Sequence, residues 1–487
     1  MTIESEFPAS FVRPWTELLN AHSREQDGDL PSYHVGAPES LITTSVPRAL
    51  YVGTGFSIFT RALLPAILNA KHSVHFVTCY WANSPTLDAF GEALVKLAAS
   101  RVEDGNHTTP LKITIGFSSR GLFQKLFHTS SRDGHVYPPS QWSKLGLPDE
   151  GTLKRGGIEM SVKTLFFTPF SVMHPKYLLV DGARAWVPSC NVSWERWFEG
   201  CVELDGGVVQ QLTKFHHNVW GDAGLREGDG DVELQNKTGP PTMTLQSPTQ
   251  SKRASLLTGG VEGSATQSLR FPETMPVPTI FLPSSHHRNP RLSFIPPFLS
   301  QSNPPMTPLN AALLTLINNA QRSINMVTPN VTSWPVLEAL LAALERGVDV
   351  QIRTSKNMML IEQLVTAGTT TGWCLDKFVK KYRAFRRYSD DPEAQQSVGK
   401  LEIFYYHPLA ARHDEDDEPV LSHFKMTMVD EEYLVLGSGN MDRASWWTSQ
   451  EIGVLFYVAC FEWRKLWEGV LERRGDVFFR SEDHGGH

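Results

Sequence analysis

The chain has 487 residues, with 45 Lys and Arg against 52 Asp and Glu, so its formal net charge is −7. This acidic balance offers no broad basic surface for a phosphate backbone, which disfavours a dedicated nucleic-acid binder. The N-terminus lacks the basic and apolar regions of a secretory signal, and the longest apolar run, residues 452–461, is too short to cross a bilayer. We therefore expect a cytoplasmic protein, open to peripheral contact with membranes, that is neither secreted nor anchored by a transmembrane helix.

Apolar periodicity predicts alternating helices and strands in the first half of the chain. The predicted elements are a helix at 63–70, a strand at 73–80, a helix at 86–99 and a strand at 111–117. Such alternation is typical of a mixed sheet that helices cover on its faces.

The stretch HPKYLLVD at 174–181 sets polar residues into an apolar strand. Because side chains alternate along a strand, His174 and Lys176 share a face, where a base and a cation together can hold an anion. Asp181 lies an odd number of positions from His174, so it is expected to point away from that face. A supporting role follows for this aspartate.

The segment 228–306 is rich in Pro, Ser, Thr and Gly and has little periodicity, which predicts a partly disordered linker. Its later part, residues 279–294, carries apolar residues and is expected to lie on the surface. The adjacent His286 and His287 suggest a metal site, but no neighbouring Cys or carboxylate completes a ligand set. The predicted domains are 1–227 and 307–487, joined by the linker 228–306.

The second half of the chain repeats the first. Its predicted elements are a helix at 313–320, a strand at 323–328, a helix at 336–345 and a strand at 348–353. The stretch HFKMTMVD contains His423, Lys425 and Asp430, each 249 positions after its counterpart in the first half. The segments 61–80 and 311–330 also share nine of twenty residues. The chain is therefore an internal duplication.

This duplication predicts an α/β fold of two pseudo-symmetric repeats, each a mixed sheet flanked by helices, packed about a shared active site. Short polar residues and one carboxylate follow each motif at matching places. They are Ser189, Asn191 and Glu199 in the first half and Ser438, Asn440 and Glu451 in the second. In this arrangement a single monomer suffices for one complete site.

The combined set of two His, two Lys, two Asn and two Glu suits phosphoryl chemistry. Cations and amide donors stabilise the equatorial oxygens of a five-coordinate phosphorus. One imidazole can attack phosphorus and the other can protonate the leaving alcohol, while a carboxylate fixes the tautomer of each ring. This chemistry requires no metal and no cofactor.

The sequence resembles the phospholipase D superfamily, whose HxKxxxxD motif is matched in full in both halves. The family's downstream GSxN element is complete at Gly437, Ser438 and Asn440, whereas Pro188 replaces the glycine in the first half. That departure affects the geometry of one loop. The resemblance covers roughly residues 45–225 and 305–475.

The resemblance implies a role for each motif residue. His174 would be the nucleophile that forms a phosphohistidine, and His423 would be the acid and then the water-activating base. In relatives the orienting carboxylates act across the dyad, which implies Glu451 for His174 and Glu199 for His423. The catalytic motifs comprise His174, Lys176, Asp181, His423, Lys425 and Asp430. The implied phosphate ligands are the two lysines with Asn191, Asn440, Ser189 and Ser438.

These features predict a phosphodiesterase that acts on phospholipids, as a phospholipase D or as a phosphatidyl transferase resembling cardiolipin synthases. A nuclease of the same superfamily and a non-catalytic lipid-binding scaffold are the alternatives. The basic run 377–387 could contact anionic headgroups or form a solvated helix face. The aromatic pairs that follow the motifs could line an entrance or pack in the core. They are Trp194 with Trp197 and Trp446 with Trp447.

Overall fold

The computed structural model describes most of the chain, with gaps between eleven described ranges. These are 6–105, 109–121, 133–167, 171–193, 195–221, 258–259, 264–271, 275–286, 303–388, 398–409 and 418–481. The α-helices are Ala9–Ala21, Gly55–Ile58, Leu64–Leu68, Pro85–Asp104, Glu150–Arg155, Gly207–Val219, Pro308–Asn319, Trp334–Glu345, Leu360–Ala367, Thr371–Tyr388, Arg443–Trp447 and Phe461–Leu471. Shorter helical turns are the 3₁₀ segments Ser23–Gln26, Pro38–Leu41, Pro139–Leu145 and Glu472–Arg474 and the π segment Phe59–Leu63.

The strands are numbered in chain order. In the first half they are β1 Ile42–Thr54, β2 Ser73–Tyr80, β3 Leu111–Ser119, β4 His135–Val136, β5 Ile158–Thr164, β6 Phe166–Phe167, β7 Ser171–Val172, β8 Tyr177–Val180, β9 Arg184–Pro188 and β10 Trp197–Gly206. The remainder are β11 Thr258–Gly259, β12 Gln267–Arg270, β13 Val277–Ser284, β14 Ser323–Val327, β15 Asp349–Thr354, β16 Leu401–Tyr406, β17 Leu421–Ser422, β18 Met426–Val429, β19 Tyr433–Gly437, β20 Glu451–Tyr457 and β21 Gly475–Arg480.

The strand pairings show the duplication directly. In the first repeat the strands lie side by side in the order β5, β3, β2, β8, β9, β10, β1, with the first three parallel and the others antiparallel. In the second repeat the order is β16, β15, β14, β18, β19, β20, β13, with the same directions. The prediction of two alike α/β repeats with mixed sheets is confirmed.

The two repeats share one continuous sheet because β1 and β13 pair with each other. Their antiparallel register places Ile42 opposite Ile280 and Ser45 opposite Val277. Both strands hold the same position at the end of their repeats, so this pair lies where the two halves meet. Nineteen strands join in this sheet.

The strand β13 corrects the prediction for the segment 228–306. This segment is not a linker throughout, because β13 is the last strand of the second repeat's sheet and is buried along its whole length. The expectation that residues 279–294 lie on the surface is wrong as far as His286, since residues 279–286 are buried. Residues 222–257 and 287–302 lie outside the described residues, and the prediction of disorder falls mainly there.

The N-terminal helix Ala9–Ala21 packs on the second repeat, although the sequence assigns it to the first domain. It contacts the helix Pro308–Asn319, and Trp15 Nε1 donates a hydrogen bond to the carbonyl oxygen of Pro308 at 3.2 Å. Phe11 also lies against the ring of Tyr433, with ring centroids 5.7 Å apart. The predicted domain boundary at residue 227 therefore does not match the packing of this helix.

Local sequence signals explain where the main covering helices begin. Ser84 caps the helix Pro85–Asp104 by accepting from Leu87 N, and a proline occupies the first helical position. Thr307 caps the helix Pro308–Asn319 in the same way. Each helix covers one face of its sheet with Leu and Ala side chains, which places the motif strands in the interior between helix layers.

Candidate active site

Each motif histidine lies where its own repeat meets the other. The backbone N–H of His174 donates to the carbonyl oxygen of Gln450 at 2.9 Å, directly before β20 of the second repeat. The N–H of His423 donates to the carbonyl oxygen of Phe198 at 2.9 Å, in β10 of the first repeat. Each bond brings a histidine beside the glutamate of the opposite repeat.

The side chains form two reciprocal histidine and glutamate pairs. His174 Nδ1 lies 2.8 Å from Glu451 Oε2, and His423 Nδ1 lies 2.8 Å from Glu199 Oε1. A carboxylate only accepts hydrogen bonds, so Nδ1 of each ring carries the proton. The lone pair of each neutral ring therefore resides on Nε2, the nitrogen that faces away from its glutamate.

The two motif serines hold these glutamates. Ser189 Oγ donates to Glu199 Oε2 and accepts from Gly200 N. Ser438 Oγ donates to Glu451 Oε2 at 2.6 Å and accepts from Ile452 N. Both hydroxyls are engaged and buried, which suits them to position the carboxylates more than to bind phosphate as the sequence predicts.

The two motif lysines are buried beside the histidines. Lys176 Nζ donates to the carbonyl oxygen of His174 at 2.8 Å, and Lys425 Nζ lies 2.9 Å from His423 Nδ1. Within the described ranges, neither ammonium group forms an ion pair with a carboxylate. Buried cations that no carboxylate contacts directly favour the binding of an anion.

The two asparagines offer different hydrogen-bonding groups to a ligand. Asn191 Oδ1 accepts from Tyr80 N at 3.1 Å and from Thr78 Oγ1 at 3.3 Å, which keeps Nδ2 as its donor. Asn440 Nδ2 donates to Asp442 Oδ2 at 2.9 Å, and its buried Oδ1 has no hydrogen-bond partner in the described part of the chain. In this orientation Asn191 suits a phosphate oxygen, whereas Asn440 suits a group with a proton to donate.

The motif aspartates lie outside the cluster, as their spacing from the histidines predicts. The carboxylate of Asp181 accepts from the backbone N–H groups of residues 71–73 at 2.7–3.1 Å. Asp430 accepts from the N–H groups of residues 321–323 at 2.7–2.9 Å. These bonds fix the turn that precedes β2 or β14, which favours the supporting role that the sequence predicts for the aspartates.

Burial and charge determine the protonation of the histidines. Burial lowers the pKa of His174 below its ordinary value, against the pull of its glutamate, and Lys176 and Lys425 lower it further. Burial lowers the pKa of His423 to about 3, again opposed by its glutamate and assisted by both lysines. Each histidine responds to the lysine of the other repeat, so the two motifs form one electrostatic site. Both rings are neutral at pH 7 in the absence of an anion.

The charges of Lys425 and Glu199 are coupled in the same way. Burial lowers the pKa of Lys425 to about 7, although Glu199 and Glu451 oppose that shift. Burial alone would raise the pKa of Glu199, but its interactions with His423, the charge of Lys425 and the hydrogen bond from Ser189 outweigh burial and hold the pKa below its usual value. The site therefore holds an ionised Glu199 beside a lysine that titrates near neutrality.

Several residues that support the site carry no motif signal. Ser445 Oγ donates to the second oxygen of Glu451, Oε1, at 2.6 Å, and Asp442 caps the helix that contains Ser445. The ring of Trp197 lies 4.9 Å from that of His423, centroid to centroid. The D-x-x-S spacing is a helix-start signal that could have indicated Asp442. Trp197 lies close to His423 because the two repeats pair, so no local sequence pattern could have indicated this contact.

Two other sequence hypotheses are resolved by burial. Trp446 and Trp447 are buried, which identifies them as core residues, while Trp194 lies outside the described residues.

His286 is buried against Phe167 and its Nδ1 lies 2.6 Å from Ser171 Oγ. In the described part of the chain, no group of three or more His, Cys, Asp or Glu has an arrangement that could hold a metal ion. No described helix is long and apolar enough to span a membrane.

Comparisons with known proteins agree with this geometry. Residues 313–465 match the family described as cardiolipin synthase, PLD-like domain. A search of curated proteins finds no significant match. Phosphatidylserine synthase from Haemophilus influenzae Rd KW20 has a similar structure over 96% of this chain and 92% of its own, with a TM-score of 0.54 and 13% identity. This likeness shows a shared fold.

A second solved structure matches over a shorter part of the chain. The phospholipase D family member Nuc from Salmonella typhimurium covers 42% of this chain and 98% of its own, with 17% identity and a TM-score of 0.26. At that score the match carries no argument about function. The family match lies within the second repeat, at residues 313–465, and the likeness to the phosphatidylserine synthase shows a shared fold.

Proposed function

We propose that this protein is a phosphodiesterase that hydrolyses or transfers the phosphatidyl group of phospholipids through a phosphohistidine intermediate. One observation carries the proposal: each histidine pairs with a glutamate of the opposite repeat, beside two buried lysines. This arrangement supplies a nucleophile, a proton carrier and the cations that a phosphodiester needs.

The difference in exposure between the two rings supports His174 as the nucleophile. Its side chain is 12% exposed, against 3% for His423, so phosphorus can approach it more easily. In the first step His174 Nε2 forms a bond to phosphorus while the bond from phosphorus to the alcohol oxygen breaks. His423 donates a proton to that oxygen, so the alcohol leaves neutral.

The phosphodiester anion explains how His423 acquires the proton. In the empty site its pKa is too low for protonation at pH 7. A negative charge beside the ring favours the imidazolium form and raises that pKa, so a proton is taken up from solution as the anion binds. In the second step neutral His423 removes a proton from water or an alcohol, whose oxygen bonds to phosphorus as the bond to His174 breaks.

The substrate class rests on similarity. The matched family is described as cardiolipin synthase, and the solved structure that covers most of this chain is a phosphatidylserine synthase. Cardiolipin and phosphatidylserine are both phospholipids, so both names refer to the synthesis of phospholipids. A nuclease shares the same chemistry, but the net charge of −7 provides little attraction for nucleic acid.

A competition assay tests the proposal. Purified protein is incubated with phosphatidylcholine and butanol, and in parallel with single-stranded DNA, both in excess EDTA. We expect phosphatidylbutanol to form at the expense of phosphatidic acid, because the alcohol competes with water for the covalent intermediate, and we expect the DNA to remain intact. Choline release with phosphatidic acid as the sole lipid product would contradict the covalent route. Cleavage of DNA without lipid turnover would indicate the nuclease.

A further inference from the structure

The helix Leu360–Ala367 exposes an unusual number of large apolar side chains. Ile361 is 80% exposed, and Leu364 and Val365 are each 53% exposed. Leu360 on the same helix and Trp373 at the start of the next helix are exposed as well. We call these five residues the apolar patch. Clustered apolar side chains of this size mark an interaction surface more often than ordinary solvent contact.

Cationic side chains border the apolar patch on the helix Thr371–Tyr388. Lys377, Lys380 and Lys381, which we call the basic stripe, are all exposed. Lys377 Nζ lies 4.5 Å from the ring centroid of Trp373, and Lys381 Nζ lies 5.4 Å from that of Trp334. Lys377 of the basic stripe therefore lies directly against Trp373 of the apolar patch.

Two acidic side chains, Glu362 and Asp376, are also exposed on these helices. They reduce the positive charge around the apolar patch without cancelling it, because Lys356 adds a further exposed cation before the first helix. Apolar residues flanked by lysines and a tryptophan are the combination that binds the interface of an anionic bilayer.

A chain of hydrogen bonds connects the helix of the apolar patch to the active site. Gln363, on the buried face of its helix, donates to Asn330 Oδ1 at 3.0 Å and accepts from Thr371 N. Thr371 in turn accepts from Val331 N, and Val331 forms a bridge with Met441, the residue after Asn440. The helix also packs on Arg443–Trp447. These contacts connect the helix of the apolar patch to the loop that carries Asn440.

We propose that the apolar patch and the basic stripe form a surface that docks the protein on anionic phospholipid bilayers, next to the second half of the active site. The benefit to catalysis rests on the proposed function, since docking would bring headgroups to the loop that carries Asn440. The binding itself does not depend on turnover. An eight-residue helix inserts only its side chains among the headgroups, so the attachment is peripheral and reversible.

A vesicle sedimentation assay tests this docking surface. The probe is a vesicle of phosphatidylcholine with about one third phosphatidylserine. The test variant is Ile361→Ser with Leu364→Ser, and the matched control is Val95→Ser with Val102→Ser. The control residues are exposed apolar side chains on the helix Pro85–Asp104 of the other repeat. We expect the test variant to lose roughly tenfold or more in vesicle affinity and the control to bind like the unaltered protein.

A charge-reversal pair covers the case in which the serine variant misfolds. Lys377→Glu with Lys381→Glu is compared with Lys96→Glu and Lys154→Glu, which remove the same charge from exposed sites of the first repeat. We expect only the first pair to weaken binding, by roughly tenfold or more, and the deficit to shrink at high salt. Equal binding by test and control pairs would overturn the proposal, as would equal affinity for neutral and anionic vesicles.

Activity on a short-chain phospholipid, dispersed below its micelle concentration, separates this proposal from the proposed function. A docking variant should hydrolyse this dispersed substrate normally and lose activity only on vesicles. Loss of activity on both substrates with unchanged vesicle binding would contradict the docking role. Absence of phospholipid turnover by the unaltered protein would refute the proposed function, while its vesicle binding would still test the docking surface.

Discussion

The two halves of the active site contain the same residues in different surroundings. His174 is partly accessible, whereas His423 is enclosed beneath Trp197 and beside Lys425. Each is held by a glutamate from the opposite repeat, and each glutamate is held by a serine. Duplication accounts for the matching chemical groups, and the difference in burial favours different roles for the two histidines. The accessible imidazole suits attack on phosphorus, and the enclosed one suits proton transfer.

Replacing the histidines gives the largest expected effect. His174→Ala and His423→Ala should each reduce phospholipid turnover by at least about a thousandfold, because each removes a group that acts directly on the reacting atoms. A p-nitrophenyl phosphodiester should separate the two, since its leaving group needs no acid. With this substrate, the His423→Ala variant should still release one nitrophenol molecule per active site. The His174→Ala variant should release none.

His407→Ala serves as the control, since that histidine is exposed and lies outside the site. It should match the unaltered protein in steady-state and burst kinetics. Equal loss of the nitrophenol burst in both active-site variants would remove the distinction between the two halves.

The crossed glutamates provide a smaller and more specific test. Glu451→Gln should slow nitrophenol release roughly hundredfold, because a neutral amide no longer fixes or polarises the nucleophile His174. Glu199→Gln should leave that release nearly unchanged and slow only phospholipid turnover. Burst kinetics measure both. The opposite pattern would mean that each glutamate serves the histidine of its own repeat.

The pH dependence of the rate tests the half of the active site that contains His423 and Lys425. Because the pKa of Lys425 is lowered to about 7, this ammonium group loses its proton as the pH rises through neutrality. A neutral amine attracts a phosphodiester less strongly, so the fall of kcat/KM with pH that proton uptake by His423 causes should become steeper above about pH 7, by up to about tenfold per pH unit. Lys425→Arg, which stays charged, should remove the extra steepness of this alkaline limb, whereas Lys96→Arg should not. An unchanged limb in Lys425→Arg would assign it to another group.

The motif aspartates should affect stability and leave chemistry intact. Asp181→Asn and Asp430→Asn keep a side chain that tolerates the positive φ of 54° at both positions but weaken the bonds to three backbone N–H groups. We expect losses of about 1–3 kcal/mol in the free energy of unfolding, measured in denaturant, and the larger loss at the more buried Asp430. Activity per folded molecule should be unchanged, as for the exposed control Asp27→Asn.

The local pattern was sufficient to predict most elements of the repeats. The strand predicted at 73–80 is found as Ser73–Tyr80, and the helix predicted at 336–345 begins two residues earlier, at Trp334. The strand β13 was missed because its two prolines resemble a linker and its partners, β1 and β20, lie far away in sequence. Long-range pairing of this kind has no local periodicity to detect.

The candidate site shows the same division. Motif spacing alone predicted that the histidines and lysines lie together and that the aspartates face away from them. The bonds of the serines to Glu199 and Glu451 could not be predicted, because they arise from pairing between neighbouring strands, which the spacing of residues does not encode. The docking surface was indicated only by its lysines, since the exposure of Ile361 and Leu364 depends on which face of a short helix the fold covers.

Trapping the covalent intermediate tests the central claim most directly. The protein is mixed with phosphatidylcholine, quenched in alkali within one turnover to preserve a phosphoramidate bond, and digested for peptide mass spectrometry. The account predicts a phosphatidyl group on the peptide that contains His174, at a level that rises when Glu199→Gln slows the second step. An adduct on His423, or turnover without any adduct, would contradict it.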